Sequence, residues 1–177
     1  MERVSNIESI CPVSRKRWMC ILYKNRKNLS NSFGYGLMQL FNKAGQLKIK
    51  AVSLHIIYLR TSIYNKRPYY RLYLFDEKLY NGNTDCWVYW EMAEIIAYME
   101  LIFPIVNEEY CIGYKYQIGS QEKKIKESVE NLHLVVDEMI GYFINSVVKQ
   151  FPQIRNYPVY LGEYMNEQQL IYDGRIG

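Results

Sequence analysis

A long helical stripe in the C-terminal half of the chain most constrains what it can fold into. Seven apolar residues recur there at spacings of three and four: Ile125, Val129, Leu132, Val136, Met139, Phe143 and Val147. Gly119 and Ser120 precede this stripe and Pro152 follows it, which predicts a helix over 120–151. Such a helix is roughly 45–50 Å long, and its apolar side has to pack against the rest of the protein.

Strand patterns are spread over the whole chain. They occur in six segments: 18–23, 47–64, 69–75, 110–118, 159–164 and 170–172. The second and third predict an antiparallel hairpin with a turn at 65–68, and in the third Tyr70, Leu72 and Leu74 share one face. The last two predict a terminal hairpin, and the alternation over 110–118 is the most regular of all.

Two further segments carry helical patterns. Residues 33–44 have apolar side chains at helical spacing behind serine caps, with Gly45 at their end. Residues 85–103 follow the N-cap residue Thr84 and stop at Pro104. This second segment is apolar almost all round, which is typical of a buried helix or of one shared with a partner chain.

Together these patterns predict an α+β fold. We expect an antiparallel sheet of about five or six strands, packed against two main helices over 85–103 and 120–151. The length of 177 residues suits a single domain over 1–177, with an irregular N-terminal arm over 1–14. The most apolar segment, 86–106, contains three glutamates, which argue against a membrane span.

Charge is divided very unevenly along the chain. Residues 1–75 contain 14 Lys and Arg against 2 Asp and Glu, whereas residues 76–177 contain 8 against 16. No carboxylate occurs between Glu8 and Asp76, although the whole chain carries a net charge of only +4. Asymmetry of this size indicates either an anionic partner or an internal pairing of the basic half with the acidic half.

The densest positive charge lies near the N-terminus. Six basic residues fall within 13 positions: Arg15, Lys16, Arg17, Lys24, Arg26 and Lys27. A short strand and turn cannot bury so many charges, so we expect these residues to be exposed and close together, where they bind nucleic-acid phosphates or an acidic protein. Tyr23, Tyr64 and Tyr69 lie near basic turns and are placed to stack on bases.

Catalytic chemistry is weakly indicated. His55 has no candidate ligand nearby, and His133 has only Asp137 one helical turn away, which matches no known metal-binding spacing. One carboxylate set would suit a small hydrolase or nuclease, although it equally suits turns: Asp76, Glu77 and Asp85. No Gly-rich phosphate loop and no C-x-x-C pair occurs, and no motif indicates a cofactor or a metal.

Cysteine usage and the N-terminal sequence bear on the cellular compartment. The four cysteines, at positions 11, 20, 86 and 111, are irregularly spaced, as in a reduced cytosolic protein, with a bridge between Cys11 and Cys20 as the alternative. The first residues lack the apolar segment of a signal peptide. The 18 tyrosines accompany many Ile, Asn and Lys residues, a joint bias typical of an AT-rich coding sequence. We therefore expect a cytoplasmic protein.

The sequence favours a non-enzymatic binding or assembly protein whose basic half contacts an anionic macromolecule, either nucleic acid or an acidic protein. Two alternatives stay open. One is a protein–protein interaction module, such as an immunity or scaffold subunit of a complex, with the 85–103 helix or the end of the 120–151 helix as its interface. The other is a small carboxylate-dependent hydrolase or nuclease. Neither a cofactor, a metal nor a membrane is expected as a partner.

Overall fold

The computed structural model describes residues 12–59, 68–77, 86–102, 115–163 and 166–174, the first seven residues of the fourth range by their backbone alone. In chain order these ranges contain α1 (Arg15–Lys24), α2 (Arg26–Leu47), β1 (Ser53–Tyr58), β2 (Tyr70–Phe75), β3 (Trp87–Trp90), α3 (Ala93–Ile102), α4 (Lys115–Val147), a 3-10 turn (Pro152–Asn156), β4 (Pro158–Glu163) and β5 (Gln168–Asp173). The predicted α+β class is therefore confirmed.

The five described strands form one mixed sheet in the order β3-β2-β1-β4-β5. β1 pairs antiparallel with β2, and β4 with β5, which confirms both predicted hairpins. β1 pairs in parallel with β4, so the prediction of a purely antiparallel sheet is wrong. Parallel neighbours need a long crossover connection, and the chain between these two strands contains α4.

The two faces of the sheet differ in what packs against them. Tyr70, Leu72 and Leu74 lie on the face that joins the main apolar core with α1, α2 and α4, as their alternation predicts. The opposite face carries a separate small cluster of buried side chains: Ile57, Tyr73 and Phe75. Because α2 and α4 pack on the core face, α2 takes the place predicted for the 85–103 helix.

The first helix replaces a predicted strand. Residues 18–23 lie in α1, where Trp18 and Leu22 are fully buried four positions apart. The indole Nε1 of Trp18 donates to the backbone oxygen of Ser128 on α4 at 2.6 Å. Burial at this spacing is helical, whereas the short apolar run alone fits either a helix or a strand. The predicted helix over 33–44 is confirmed as part of the longer α2.

The segment predicted as a single apolar helix is a strand followed by a helix. β3 takes its first part, because that part pairs with β2, and α3 takes its second part. Trp90, Ile95 and Met99 are fully buried, as expected for this segment. Trp87, which a buried helix over 85–103 would also bury, is half-buried on the other face of the strand.

The long helix of the C-terminal half is confirmed, but it spans Lys115–Val147 and not 120–151. All residues of its apolar stripe are buried. Because α4 begins at Lys115, the strand predicted over 110–118 is wrong for its last four residues. Residues 110–114, most of the predicted arm and most of the turn predicted at 65–68 lie outside the described ranges.

Candidate anion-binding site

The predicted basic residues lie on α1, on α2 and at the corner between them. Asn25 forms this corner. Its backbone N–H and its side-chain Nδ2 both donate to the carbonyl of Ile21, at 3.0 and 2.9 Å. Its own carbonyl accepts from the N–H of Leu29 at 3.0 Å. The chain therefore passes from one helix to the next within a single residue, and the charges on either side of Asn25 stay close together.

Three positive charges meet at this corner. Lys24 and Lys27 are exposed, and Arg26 is half-buried. The guanidinium of Arg26 lies over the ring of Tyr23, with Cζ 4.3 Å from the ring centroid, and its Nη1 donates to the Tyr23 carbonyl at 2.9 Å. Tyr23 itself is 60% exposed. We call Tyr23, Lys24, Arg26 and Lys27 the basic corner.

An open depression lies at the basic corner. It has a volume of about 320 Å³ and is lined by Lys24, Asn25, Arg26, Lys27 and Asn28. Every lining side chain is a cation or an amide, so hydrogen-bond donors dominate it. The first turn of α2 contains no acidic residue that would repel an anion. The depression is therefore suited to an anion.

A second basic group lies at the other end of α1. Arg15, Lys16 and Arg17 are all exposed, and we call them the N-terminal triplet. Arg15 forms an ion pair with Glu138 of α4, and the Arg17 guanidinium lies 5.6 Å from the centroid of the Tyr98 ring. A helix of this length separates the triplet from the basic corner by about 15 Å. The six predicted residues therefore form two groups and not one cluster.

Among the described residues, most of these cations lack a carboxylate partner. Within the described ranges, Arg15 is the only one of the six that forms an ion pair. In the described part of the chain, pairing with the acidic half thus neutralises one charge of this site. Of the tyrosines predicted near basic turns, Tyr23 belongs to the basic corner, Tyr69 packs against Tyr89, and Tyr64 lies outside the described residues.

A further cationic site, which the sequence did not predict, lies at strand β3. The Cζ of Arg71 lies 4.2 Å from the Trp87 ring centroid and 5.3 Å from that of Tyr89. Its Nη1 and Nη2 donate to the hydroxyls of Tyr73 and Tyr89, at 3.2 and 3.1 Å. Lys43 of α2 donates to the Trp87 carbonyl at 3.3 Å, with Nζ 5.4 Å from the ring centroid. We call Lys43, Arg71, Trp87 and Tyr89 the aromatic edge.

The sequence alone gives only weak evidence for the aromatic edge. Trp87 and Tyr89 share one face of a strand, but the segment that contains them also fits a buried helix. The pairing of β2 with β3 places Arg71 opposite Tyr89 and Tyr73 opposite Trp87. Because this register depends on pairing between distant segments, sequence periodicity alone does not reveal the site.

His55 belongs to a hydrogen-bonded chain on the sheet face opposite the core. Its Nδ1 bonds to Oε1 of Gln168, and because an amide oxygen only accepts, Nδ1 carries the proton. Nε2 then accepts from the hydroxyl of Ser53 at 2.8 Å. This order is that of a nucleophile, a base and an orienting group, but Ser53 is only 4% exposed. Burial lowers the pKa of His55, although its bond to Gln168 acts in the opposite direction. The hydroxyl is closed to substrate, so the chain links β1 to β5 structurally.

His133 is buried between α4 and the sheet. Its Nδ1 hydrogen-bonds with the hydroxyl of Tyr70, and its ring stacks on Tyr58 with a centroid distance of 4.1 Å. Nε2 has no hydrogen-bond partner in the part of the protein that the structure describes. Burial lowers the pKa of His133 to about 3. The ring is therefore neutral at neutral pH and serves packing.

The predicted carboxylate set is not assembled in the described part of the chain. Asp76 and Glu77 directly follow β2, with Asp76 half-buried and Glu77 exposed, and Asp85 lies outside the described ranges. Among the described residues, no group of three or more His, Cys, Asp or Glu side chains could hold a metal ion. His133 and Asp137 accordingly have no third donor there.

Two cysteines can be placed. Cys20 is an exposed free thiol and Cys86 a buried one, whereas Cys11 and Cys111 lie outside the described residues. Burial raises the pKa of the Cys86 thiol, with the positive charge of Lys43 acting in the opposite direction. A buried thiol with a raised pKa, such as that of Cys86, is not suited to act as a nucleophile.

Two further findings concern the possibility of a membrane-spanning helix and the similarity of the chain to known proteins. Across the described ranges, no helix combines the length and the apolar character needed to cross a membrane. No protein-family model, curated protein or solved structure significantly matches the chain. The basic corner, the N-terminal triplet and the aromatic edge therefore carry the functional inference.

Proposed function

We propose that the protein is a non-enzymatic nucleic-acid-binding protein that contacts phosphates through the basic corner and the N-terminal triplet. The observation that carries this proposal is the set of exposed cations on α1 and α2 that lack carboxylate partners among the described residues. Lysine and arginine neutralise phosphates and release condensed counterions, which supplies most of the affinity in non-specific binding. Such contacts position the nucleic acid without reading its base sequence.

Two features favour nucleic acid over an acidic protein, and a third suits either kind of polyanion. The depression at the basic corner is lined by amides as well as cations, and both donate hydrogen bonds to phosphate oxygens. Tyr23 presents an exposed ring beside them, and an aromatic ring stacks on any base. Neither α1 nor α2 contains an Asp or Glu residue, so a polyanion meets no repulsion from these helices.

Reversing two charges at the basic corner should weaken binding to all nucleic acids alike. The double variant Lys24→Glu, Lys27→Glu changes two exposed side chains that form no ion pair in the described ranges, so the fold should survive. We expect the affinity for labelled DNA and RNA oligonucleotides to fall about tenfold or more at low salt, and equally for unrelated sequences. Fluorescence anisotropy measures the dissociation constants. The same change at Lys16 and Arg17 tests the N-terminal triplet.

A matched control keeps net charge constant between variants. Lys123 and Lys149 are exposed on α4 and just after it, and replacing both with Glu should leave the affinity nearly unchanged. The logarithm of the binding constant should fall linearly with the logarithm of salt concentration, and the basic-corner variant should reduce that slope by about two. Equal losses of affinity in both double variants would show that binding depends on net charge alone and not on the basic corner. No binding of DNA or RNA at low salt would exclude nucleic acid and leave an acidic protein as the partner.

A protein–protein interface is the second candidate function, favoured by apolar side chains exposed on α3 and α4. Leu101 of α3 is 77% exposed, and Leu134 and Tyr142 of α4 are 50% and 47% exposed. Single exposed apolar residues are common on protein surfaces, so the test is whether these residues mediate association. Light scattering across a range of protein concentrations would support self-association if the mass rises and if Leu101→Asp abolishes the rise. A constant monomer mass would exclude self-association through these residues.

A further inference from the structure

We infer that the aromatic edge binds an unpaired base of a single-stranded nucleic acid, with the neighbouring phosphates at Arg71 and Lys43. This inference rests on the proposed function and deepens it, because it names the form of nucleic acid that the protein takes. It draws on residues that the basic corner does not include: a partly exposed tyrosine ring, a guanidinium held by neutral groups, and a lysine that reaches the same edge from α2.

The ring that receives the base is that of Tyr89. It is 39% exposed on β3, which is the last described strand on its side of the sheet. It packs edge-to-face on Trp87 with a centroid distance of 5.1 Å and against Tyr69 at 5.4 Å. Its hydroxyl accepts from Arg71 at 3.1 Å. These three neighbours hold the ring in place while part of it faces solvent, which makes a pre-organised stacking surface.

Arg71 supplies a charge that no described carboxylate compensates. Its hydrogen-bond partners are the hydroxyls of Tyr73 and Tyr89, and the rings near it are those of Trp87 and Tyr89. All of these groups are neutral. Glu91, which follows β3, is exposed and forms no ion pair in the described ranges. A half-buried guanidinium is screened less by solvent than a fully exposed one, so it attracts a phosphate more strongly.

Lys43 adds a second positive charge at the same edge. Its Nζ donates to the Trp87 carbonyl at 3.3 Å and lies 5.4 Å from the centroid of the Trp87 ring. Like Arg71, it forms no ion pair with a carboxylate in the part of the chain that is described. A nucleotide whose base stacks on Tyr89 therefore has two cations close to its phosphates.

α2 connects the aromatic edge with the basic corner. From Arg26 to Lys43 this helix rises by about 25 Å, a distance that a single strand of several nucleotides covers. The helix contains no Asp or Glu along that length, and Tyr35 is exposed on it. A strand that binds the basic corner by its phosphates thus meets no acidic residue of α2. It reaches Tyr89 by passing round the β3 edge to the sheet face opposite α2. A duplex cannot make the same contact, because its bases are paired and stacked on one another.

Three oligonucleotides of equal length test the inference: an oligothymidylate, an abasic oligomer with the same number of phosphates, and a duplex. Fluorescence anisotropy should show that the oligothymidylate binds about tenfold more tightly than the abasic oligomer. Tyr89→Ala should abolish this preference without changing the affinity for the abasic oligomer. Tyr89→Phe keeps the ring and should keep the preference. Tyr142→Ala removes an exposed tyrosine from α4 and should change neither affinity.

Tryptophan fluorescence of the unsubstituted protein gives a second readout, with Trp87→Phe as its control. Trp18 and Trp90 are fully buried, whereas Trp87 is half-buried next to Tyr89. Oligothymidylate should therefore quench the emission of Trp87, the abasic oligomer should quench it far less, and Trp87→Phe should remove the effect.

The outcomes separate this inference from the proposed function. Equal binding of the oligothymidylate and the abasic oligomer, both weakened by the Lys24→Glu, Lys27→Glu variant, would overturn base stacking at the edge and leave phosphate binding intact. Loss of the preference in Tyr89→Phe would also overturn it, because stacking needs the ring and not the hydroxyl. Binding of no oligonucleotide at low salt would remove both proposals together and point to an acidic protein.

Discussion

Replacing Trp90 with alanine is expected to lower the free energy of unfolding by about 3–5 kcal/mol. Trp90 is fully buried. Its ring packs edge-to-face against Phe33, Tyr70 and Phe143 with centroid distances of 5.0, 5.7 and 5.5 Å, and its Nε1 donates to the hydroxyl of Ser32 at 3.0 Å. The substitution leaves a cavity where α2, β2, β3 and α4 meet, and it removes a hydrogen-bond donor from Ser32.

Urea denaturation followed by far-UV circular dichroism measures this effect. Trp87→Ala is the matched control, because it removes the same side chain from the same strand but from a half-buried position. We expect Trp87→Ala to lower the free energy of unfolding clearly less than Trp90→Ala, because the Trp87 side chain buries a smaller fraction of its apolar surface. A loss below about 1 kcal/mol for Trp90→Ala would contradict its place in a packed core.

The protein is expected to lose stability as the pH falls from about 6.5 towards 3, and His133 should account for a large part of the loss. Burial lowers the pKa of His133 from 6.5 to about 3 in the folded protein. Between these values the unfolded chain binds a proton that the folded protein does not, so the free energy of unfolding decreases as the pH falls. The slope from this one group is about 1.4 kcal/mol per pH unit, and the full shift corresponds to about 5 kcal/mol.

The variant His133→Phe isolates this contribution. Phenylalanine keeps a ring against Tyr58 but cannot titrate, so the variant is less stable at pH 7 through loss of the bond to Tyr70, and its stability depends less on pH. His55, whose pKa burial also lowers, and the carboxylates contribute to the slope in both proteins. The informative quantity is therefore the difference between the two slopes, from urea denaturation at several pH values. Parallel slopes would show that His133 titrates in the same way in the folded and unfolded states.

Patterns carried by contiguous residues were sufficient for much of the fold. The alternation of Tyr70, Leu72 and Leu74 placed these residues on the core face, and both hairpins follow from alternation flanked by turn residues. The stripe of α4 predicted a long helix because seven regularly spaced apolar residues leave one period possible. In each of these cases the information lies within one segment or between neighbours along the chain.

The predictions for short apolar runs are wrong because a run of a few residues fits both the helical and the strand period. Trp18 and Leu22 lie on the buried side of α1, and the indole of Trp18 bonds to α4 more than a hundred residues away. Residues 87–90 form a strand because β2 offers them an edge to pair with. The parallel pairing of β1 with β4 likewise depends on where the chain returns after α4. Local propensity is too weak a prior to decide such segments when tertiary contacts favour the other structure.

The candidate site likewise combines features that the sequence predicts with features that only the tertiary structure determines. The carboxylate-free run between Glu8 and Asp76 is a property of composition, and the sequence alone identified every basic residue of α1 and of the basic corner. The arrangement of those charges in two groups follows from α1, which took the place of the predicted strand. The aromatic edge was determined by tertiary structure alone, since its arginine, its tryptophan and tyrosine, and its lysine come from β2, β3 and α2. These groups are brought together by the pairing of β2 with β3 and by the packing of α2 on these strands. The periodicity of one segment carries no information about a contact between three separate segments.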